Sequence, residues 1–196
     1  MRKKRLDATE RKTIIGVIRY TIFVGIAAWA FLTFIAQKEL VDGNSMLPNY
    51  KNGESIWVNK FAYKIHDPES FDVIVFSLGD HEGTYLIKRI IGLPGETVMI
   101  DEEGVIYING FPIEDKSGLK LEQISDPGLA LHTIKLSENE YFVLGDNRND
   151  SIDSRFELVG NVKRGAIVGK VREKLTKSSK HSHKTIFLGK FYVIIG

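Results

Sequence analysis

By hydrophobic pattern the chain of 196 residues divides into an apolar run, a long stretch of short alternating segments, and a polar connector with an apolar end. The run from Tyr20 to Ala36 holds 17 uncharged residues with no polar stripe. As a helix it would rise about 25 Å, a little short of the roughly 30 Å hydrocarbon core of a bilayer. Starting at Ile14 lengthens it to about 34 Å, with Arg19 near one interface, where its long side chain reaches the headgroups. Residues 14–36 are therefore expected to form one transmembrane helix in contact with membrane phospholipid. The apolar run exceeds that of a removable leader, and Ala36-Gln37-Lys38-Glu39 offers no small-residue cleavage site after it, so a retained anchor is the expectation.

From Val41 onward the period shortens to that of strands. Residues 54–60, 71–76 and 84–91 are short runs rich in β-branched and aromatic residues, bounded by Gly, Pro and Asp. Val105 to Ile108 followed by Asn109-Gly110 predicts one arm of a tight hairpin, because both turn residues tolerate the positive φ of a type I′ turn. Residues 133–136, 141–144 and 167–171 continue the series, and no long amphipathic helix or internal repeat interrupts it. The fold class is mostly β: an antiparallel, coiled-sheet domain over residues 37–175, preceded by the transmembrane helix. Residues 111–132, with Pro112, Gly118, Pro127 and Gly128, are expected to leave the core as an excursion. Residues 176–196 form a polar connector and a short apolar tail. The tail is too short to span a bilayer as a helix, leaving a final strand or a membrane contact as its alternatives.

Charge sharpens this division. The net charge of +2 conceals seven Lys and Arg against two acidic residues among residues 1–19, a local charge of +5. By the positive-inside tendency residues 1–13 lie in the cytoplasm and everything after Gln37 on the outer side. Basic charge confined to a tail gives no nucleic-acid footprint, so no nucleic-acid partner is expected. The chain has no cysteine, which excludes disulfides, thiolate metal sites and thiol catalysis. His66, His81, His132, His181 and His183 fall in polar stretches without metal-ligand spacing, and neither a metal nor another cofactor is expected.

Two residues stand out chemically. Ser45 lies in Gly43-Asn44-Ser45-Met46-Leu47-Pro48, and Lys88 in the apolar strand Tyr85-Leu86-Ile87-Lys88-Arg89-Ile90-Ile91. A turn exposes a serine hydroxyl, and apolar neighbours strip water from a lysine ammonium and lower its pKa. A neutral lysine can then take the serine's proton, which makes a nucleophile and base for acyl transfer without histidine. Alternation along the strand sends Leu86, Lys88 and Ile90 to one face and Ile87, Arg89 and Ile91 to the other, so Lys88 and Arg89 serve different ends.

A third block, Gly145-Asp146-Asn147-Arg148-Asn149-Asp150-Ser151-Ile152-Asp153-Ser154-Arg155, completes a pattern in which the chain resembles bacterial type I signal peptidases, the small Gram-positive form in particular. The resemblance runs from the anchor to about Lys170. It implies a signal-peptidase-like fold and a membrane-bound serine endopeptidase that removes signal peptides from exported preproteins. Ser45 would be the nucleophile, its backbone N–H donating to the oxyanion, and Lys88 the general base. The position two before Ser45, a serine in some relatives, is Gly43, so a second oxyanion donor would be backbone or water. The resemblance further implies that Arg89 pairs with Asp146, that the Ser151 hydroxyl bonds and orients Lys88, and that Asp153 and Arg155 form a supporting ion pair.

The substrate would be an extended peptide with small residues at the first and third positions before the cut. It would pair with strand edges near Val41-Asp42 and Gly83 to Tyr85, with Val41, Asp42, Met46, Leu47, Leu86 and Ile87 as candidate binding residues. An EF-hand reading of the third block fails, because Arg148 stands at loop position 3 and Ser151 at position 6, where glycine is required. A cytosolic self-cleaving Ser-Lys repressor would lack the apolar segment. A noncatalytic peptide-binding β module would need neither Ser45 nor Lys88.

Overall fold

The computed structural model describes residues 7–79, 83–113, 122–175 and 192–195, and the chain separates into two units, residues 1–36 and 37–196. The first unit is a helix, α1 (Ala8–Ile35). It starts six residues before the expected anchor because Asp7 and Glu10 form part of a capping box: the Asp7 backbone N–H donates to the Glu10 carboxylate at 2.9 Å. Within α1 the stretch Thr9–Trp29 is long and apolar enough to cross a membrane. Ile15, Val17, Ile18, Tyr20 and Phe23 are all more than half exposed, and together they surround the helix. A helix apolar on every side and uncovered by protein suits a lipid environment.

The second unit is built of strands β1 (Ala36–Gly43), β2 (Ser55–Asn59), β3 (Val73–Ser77), β4 (Thr84–Gly92), β5 (Thr97–Ile100), β6 (Ile106–Ile108), β7 (Phe111–Pro112), β8 (Ile134–Lys135), β9 (Glu140–Leu144), β10 (Val162–Lys163), β11 (Ile167–Leu175) and β12 (Tyr192–Ile195). A one-turn helix, α2 (Ala62–Ile65), follows β2. The larger sheet has the order β10-β9-β4-β12-β1-β2-β11-β3, and a further pairing of β3 with β4 curls it into a ring. Strand β4 holds this arrangement together. One edge pairs with β3 from Tyr85 to Arg89, while the other pairs with β12 at Thr84 and Tyr85 and with β9 from Arg89 to Gly92. Most pairings are antiparallel, whereas β12 runs parallel to both β1 and β4.

A smaller sheet, β7-β6-β5-β8, carries the predicted hairpin. Asn109 and Gly110 have φ of 52° and 82° and join β6 to β7, as a type I′ turn requires. Strands β5 and β10 were not among the expected segments. Thr97 to Ile100 is short and follows β4 after only four residues, so its alternation merges with that of its neighbour. The expected excursion does not leave the core: residues 114–121 lie outside the described residues, but Phe111–Pro112 is β7, Gly128–Leu131 forms a 3-10 turn, and Ile124 and Ala130 are buried against the smaller sheet.

Burial follows the two faces of β4. Ile87 packs with Val41, Met46, Ile56, Val58, Val73 and Val75, whereas Leu86 and Ile90 pack with Ile74, Phe76 and Val143. A third cluster joins Ile91 and Phe142 to Val98, Ile100 and Ile106 of the smaller sheet. Each such side chain contributes about 1.5–3 kcal/mol on burial, which fixes β4 between the layers with its polar residues held inside.

Candidate active site

Strand β1 ends at Gly43, where φ is 111°, and the chain turns at once into the segment that carries Ser45. The turn contains a cis Leu47–Pro48 peptide and hydrogen bonds from Leu47 N–H to Asn44 O and from Tyr50 N–H to Met46 O. Met46, fully buried, anchors it in the core. Ser45 thereby sits over β4, where Lys88 Nζ donates to Ser45 Oγ at 2.7 Å. Ser45 is 1 % exposed and Lys88 0 %.

Burial is the main influence on Lys88 and pushes its pKa down to about 8. The carboxylates of Asp153 and Asp146 oppose the fall, and Arg155 adds to it. At pH 7 about one molecule in ten then carries the free amine, against fewer than about one in a thousand for a lysine in water. The hydrogen bond seen between Nζ and Oγ reverses direction in that form, with the hydroxyl donating to the amine.

The third block forms the floor beneath the pair. Arg89 Nε and Nη2 bind Asp146 Oδ1 and Oδ2, each at 2.7 Å, in a buried bidentate ion pair, and Nη1 donates to Phe71 O at 2.9 Å. Asp153 accepts from Arg155 Nε at 2.8 Å, Arg155 Nη2 at 3.0 Å and Gly145 N–H at 3.0 Å. Arg155 also binds the carbonyls of Asp126, Arg148 and Ser151, so its fork spans the loop from the inside. Both ion pairs are satisfied on nearly every side, the condition under which a buried charge is tolerated.

Ser151 departs from expectation. Its Oγ is buried and has no hydrogen-bond partner among the described residues, so it makes no bond to Lys88 here. The hydroxyl packs instead on the backbone of Gly145: a Cβ built there would lie 2.2 Å from Ser151 Oγ and 2.6 Å from Ser45 O. Glycine at 145 lets the third block approach the nucleophile turn this closely.

The expected binding residues do not form one wall. Val41, Met46 and Ile87 are fully buried in a single cluster, while Leu86 belongs to the cluster on the other face of β4. Alternation makes it impossible for neighbours on a strand to share a face. Asp42 is exposed and Leu47 half-buried.

Three further residues tie the site together and were not singled out in the sequence. Asn49 Nδ2 donates to Asp146 Oδ2 at 2.6 Å, Asn147 N–H to Ser45 O at 2.9 Å, and Asn147 Nδ2 to Asn44 O at 3.1 Å. Ser154 Oγ accepts from Val143 N–H at 2.9 Å and holds the third block on β9. Asn147 and Ser154 lay inside the quoted third block, whereas Asn49 had no local signal. Among the described residues no three His, Asp or Glu side chains gather as a metal site, and Asp146 and Asp153 are engaged by arginines. His66 and His132 are exposed, and His81, His181 and His183 lie outside the described residues.

With this geometry in place, comparisons with known proteins are specific. Residues 14–176 match the family described as signal peptidase, peptidase S26. The chain is similar to signal peptidase I P of Bacillus subtilis subsp. natto, 33% identical over 154 residues, covering 76% of this chain and 82% of the relative. It is also similar to signal peptidase I V of Bacillus subtilis (strain 168), 32% identical over 167 residues, covering 81% of this chain and 94% of the relative. A solved signal peptidase I from Enterococcus faecalis V583 is 32% identical, with a TM-score of 0.41 and coverage of 54% of this chain and 97% of that one.

Proposed function

The chain belongs to the signal peptidase family, peptidase S26, and is a serine endopeptidase that removes signal peptides from preproteins; from that premise we propose that Ser45 is its nucleophile and Lys88 its general base. The observation that carries the assignment is the 2.7 Å hydrogen bond between two buried side chains 43 residues apart. Lys88, as the free amine, takes the Ser45 proton while Oγ attacks the carbonyl carbon of the scissile bond. The tetrahedral oxyanion is met by backbone N–H groups of the nucleophile turn, Ser45 among them. Collapse releases the amine of the mature protein, which takes its proton back from Lys88, and leaves the signal peptide as an ester on Ser45. Lys88 then draws a proton from water for hydrolysis of that ester.

The remaining residues hold this pair in place. The Arg89–Asp146 pair, through Asn49, fixes the nucleophile turn, and Asp153 with Arg155 fixes the third block against it. The unpaired Ser151 hydroxyl beside Ser45 is a partner for Lys88 once the serine has lost its proton and turned to the substrate.

The apolar α1 is consistent with a membrane anchor. The finer proposal has a single span over residues 14–36, residues 1–13 in the cytoplasm, residues 37–175 as the catalytic domain on the exported side, and phospholipid around the anchor. The cut would follow small residues of A-x-A type.

Purified protein in detergent, incubated with a preprotein, should yield a mature product whose new N-terminus is read by mass spectrometry. Ser45→Ala and Lys88→Ala should each abolish it, with the double variant hardly worse than either single. Near-normal processing by either single variant would remove that residue from the mechanism.

A further inference from the structure

The ring of the larger sheet closes only through β12. Its residues Val193, Ile194 and Ile195 lie opposite Val41, Asp42 and Gly43 of β1, and Tyr192 and Val193 lie opposite Thr84 and Tyr85 of β4. Those two strand edges are the ones an extended substrate peptide is expected to use, and the family match stops at residue 176, before this strand. Direction matters as much as position. Both β1 and β4 run toward the reactive pair, Ser45 two residues beyond Gly43 and Lys88 three beyond Tyr85. A parallel strand between them therefore runs N-to-C toward Ser45, as the residues before a scissile bond must when their last carbonyl meets the nucleophile.

We propose that Tyr192–Ile195 is a built-in pseudosubstrate strand that fills the peptide-binding slot between β1 and β4 and holds the enzyme autoinhibited until it is displaced. The proposal rests on the reading of Ser45 and Lys88 as the reactive pair. The sequence of the strand fits occupancy without cleavage. Tyr-Val-Ile-Ile has high strand propensity and no small residue at any position, whereas a cleavable peptide needs small residues at alternate ones. Its tether fits too. Residues 176–191 join it to β11 in the same chain, and a covalent tether of this length sets an effective concentration on the order of millimolar, enough for the strand to compete with substrate. If the slot is open in one molecule in ten, apparent substrate affinity falls about tenfold.

The test uses the full chain in detergent with Val193→Pro, which removes an amide donor from a strand paired on both sides. A fluorescent peptide of sequence Phe-Tyr-Val-Ile-Ile-Gly should bind this variant at least several-fold more tightly than the parent protein, whose slot is filled in cis. On a Ser45→Ala background, a labelled A-x-A signal peptide should bind more tightly by a similar factor after Val193→Pro, and the hexapeptide should compete with it. With Ser45 present, KM for a preprotein should fall by that factor while kcat stays unchanged. Unchanged affinity for both peptides overturns the proposal. So does a large drop in melting temperature on Val193→Pro, since the strand would then be a fixed stave of the ring. Hexapeptide binding without competition against the signal peptide overturns it as well, because the slot would not be the substrate's. Absence of preprotein cleavage by every variant would count against the reactive-pair assignment instead, and the hexapeptide result would still report whether β12 leaves its slot.

Discussion

Lys88→Met is expected to stabilise the protein while abolishing its activity. The lysine is fully buried, and burial takes its pKa from 10.5 to about 8. A fall of that size is a penalty of roughly 3 kcal/mol carried by the protonated fold at neutral pH. Methionine keeps similar length and volume without the charge, and loss of the hydrogen bond to Ser45 offsets about 1 kcal/mol of the gain. The net of about 2 kcal/mol should raise the melting temperature by about 4–8 °C. The pH dependence has a definite sign. Below pH 8 folded and unfolded states both hold the proton, and the full penalty is present. Between pH 8 and 10.5 the folded state has released the proton and the unfolded state has not, so the stability due to Lys88 rises with pH through that window. The advantage of the methionine variant should therefore vanish or reverse by pH 10.5. Thermal melts of both proteins in detergent from pH 7 to 10.5 measure this, and taking the difference removes every contribution common to the two proteins. A methionine variant that melts below the parent at pH 7, or a difference flat across the window, would refute the reasoning.

Ser151→Ala removes a buried hydroxyl that has no partner, so its melting temperature should equal or slightly exceed the parent's while kcat falls and the alkaline rise of activity near pH 8 shifts; a loss of stability with unaltered kcat would make the residue structural. Gly145→Ala forces a Cβ to within 2.6 Å of Ser45 O and should cost about 1–3 kcal/mol in melts together with most of kcat, and a near-neutral result would show that the third block can move aside. Asp146→Asn leaves Arg89 buried with a weakened partner and should cost about 3–5 kcal/mol by the same melts. Protease added outside intact cells should digest the domain after Gln37 and spare residues 1–13; the reverse pattern would invert the proposed topology.

Local features settle themselves within a few residues, and those are what the sequence determines here. An uninterrupted apolar run becomes a helix because its side chains have nowhere else to go, and Asn109-Gly110 becomes a hairpin turn because few residue pairs tolerate its φ values. Strands β2, β3, β4, β9 and β11 were legible for the same reason, through β-branched alternation bounded by Gly, Pro and Asp. Ser45 and Lys88 were legible as a candidate pair from their apolar surroundings, and the Arg89–Asp146 and Asp153–Arg155 ion pairs only through family resemblance. Tertiary structure alone decided what depends on residues far apart meeting in space. Asn49 reaches Asp146 across 97 positions, and nothing near Asn49 marks it. The Ser151 hydroxyl faces Gly145 instead of Lys88, because the loop's path is set by Arg155 binding Asp153 and three carbonyls. The place of Tyr192–Ile195 between β1 and β4 could not be read from a short apolar run, since strand propensity says that a segment will pair but not with which edge.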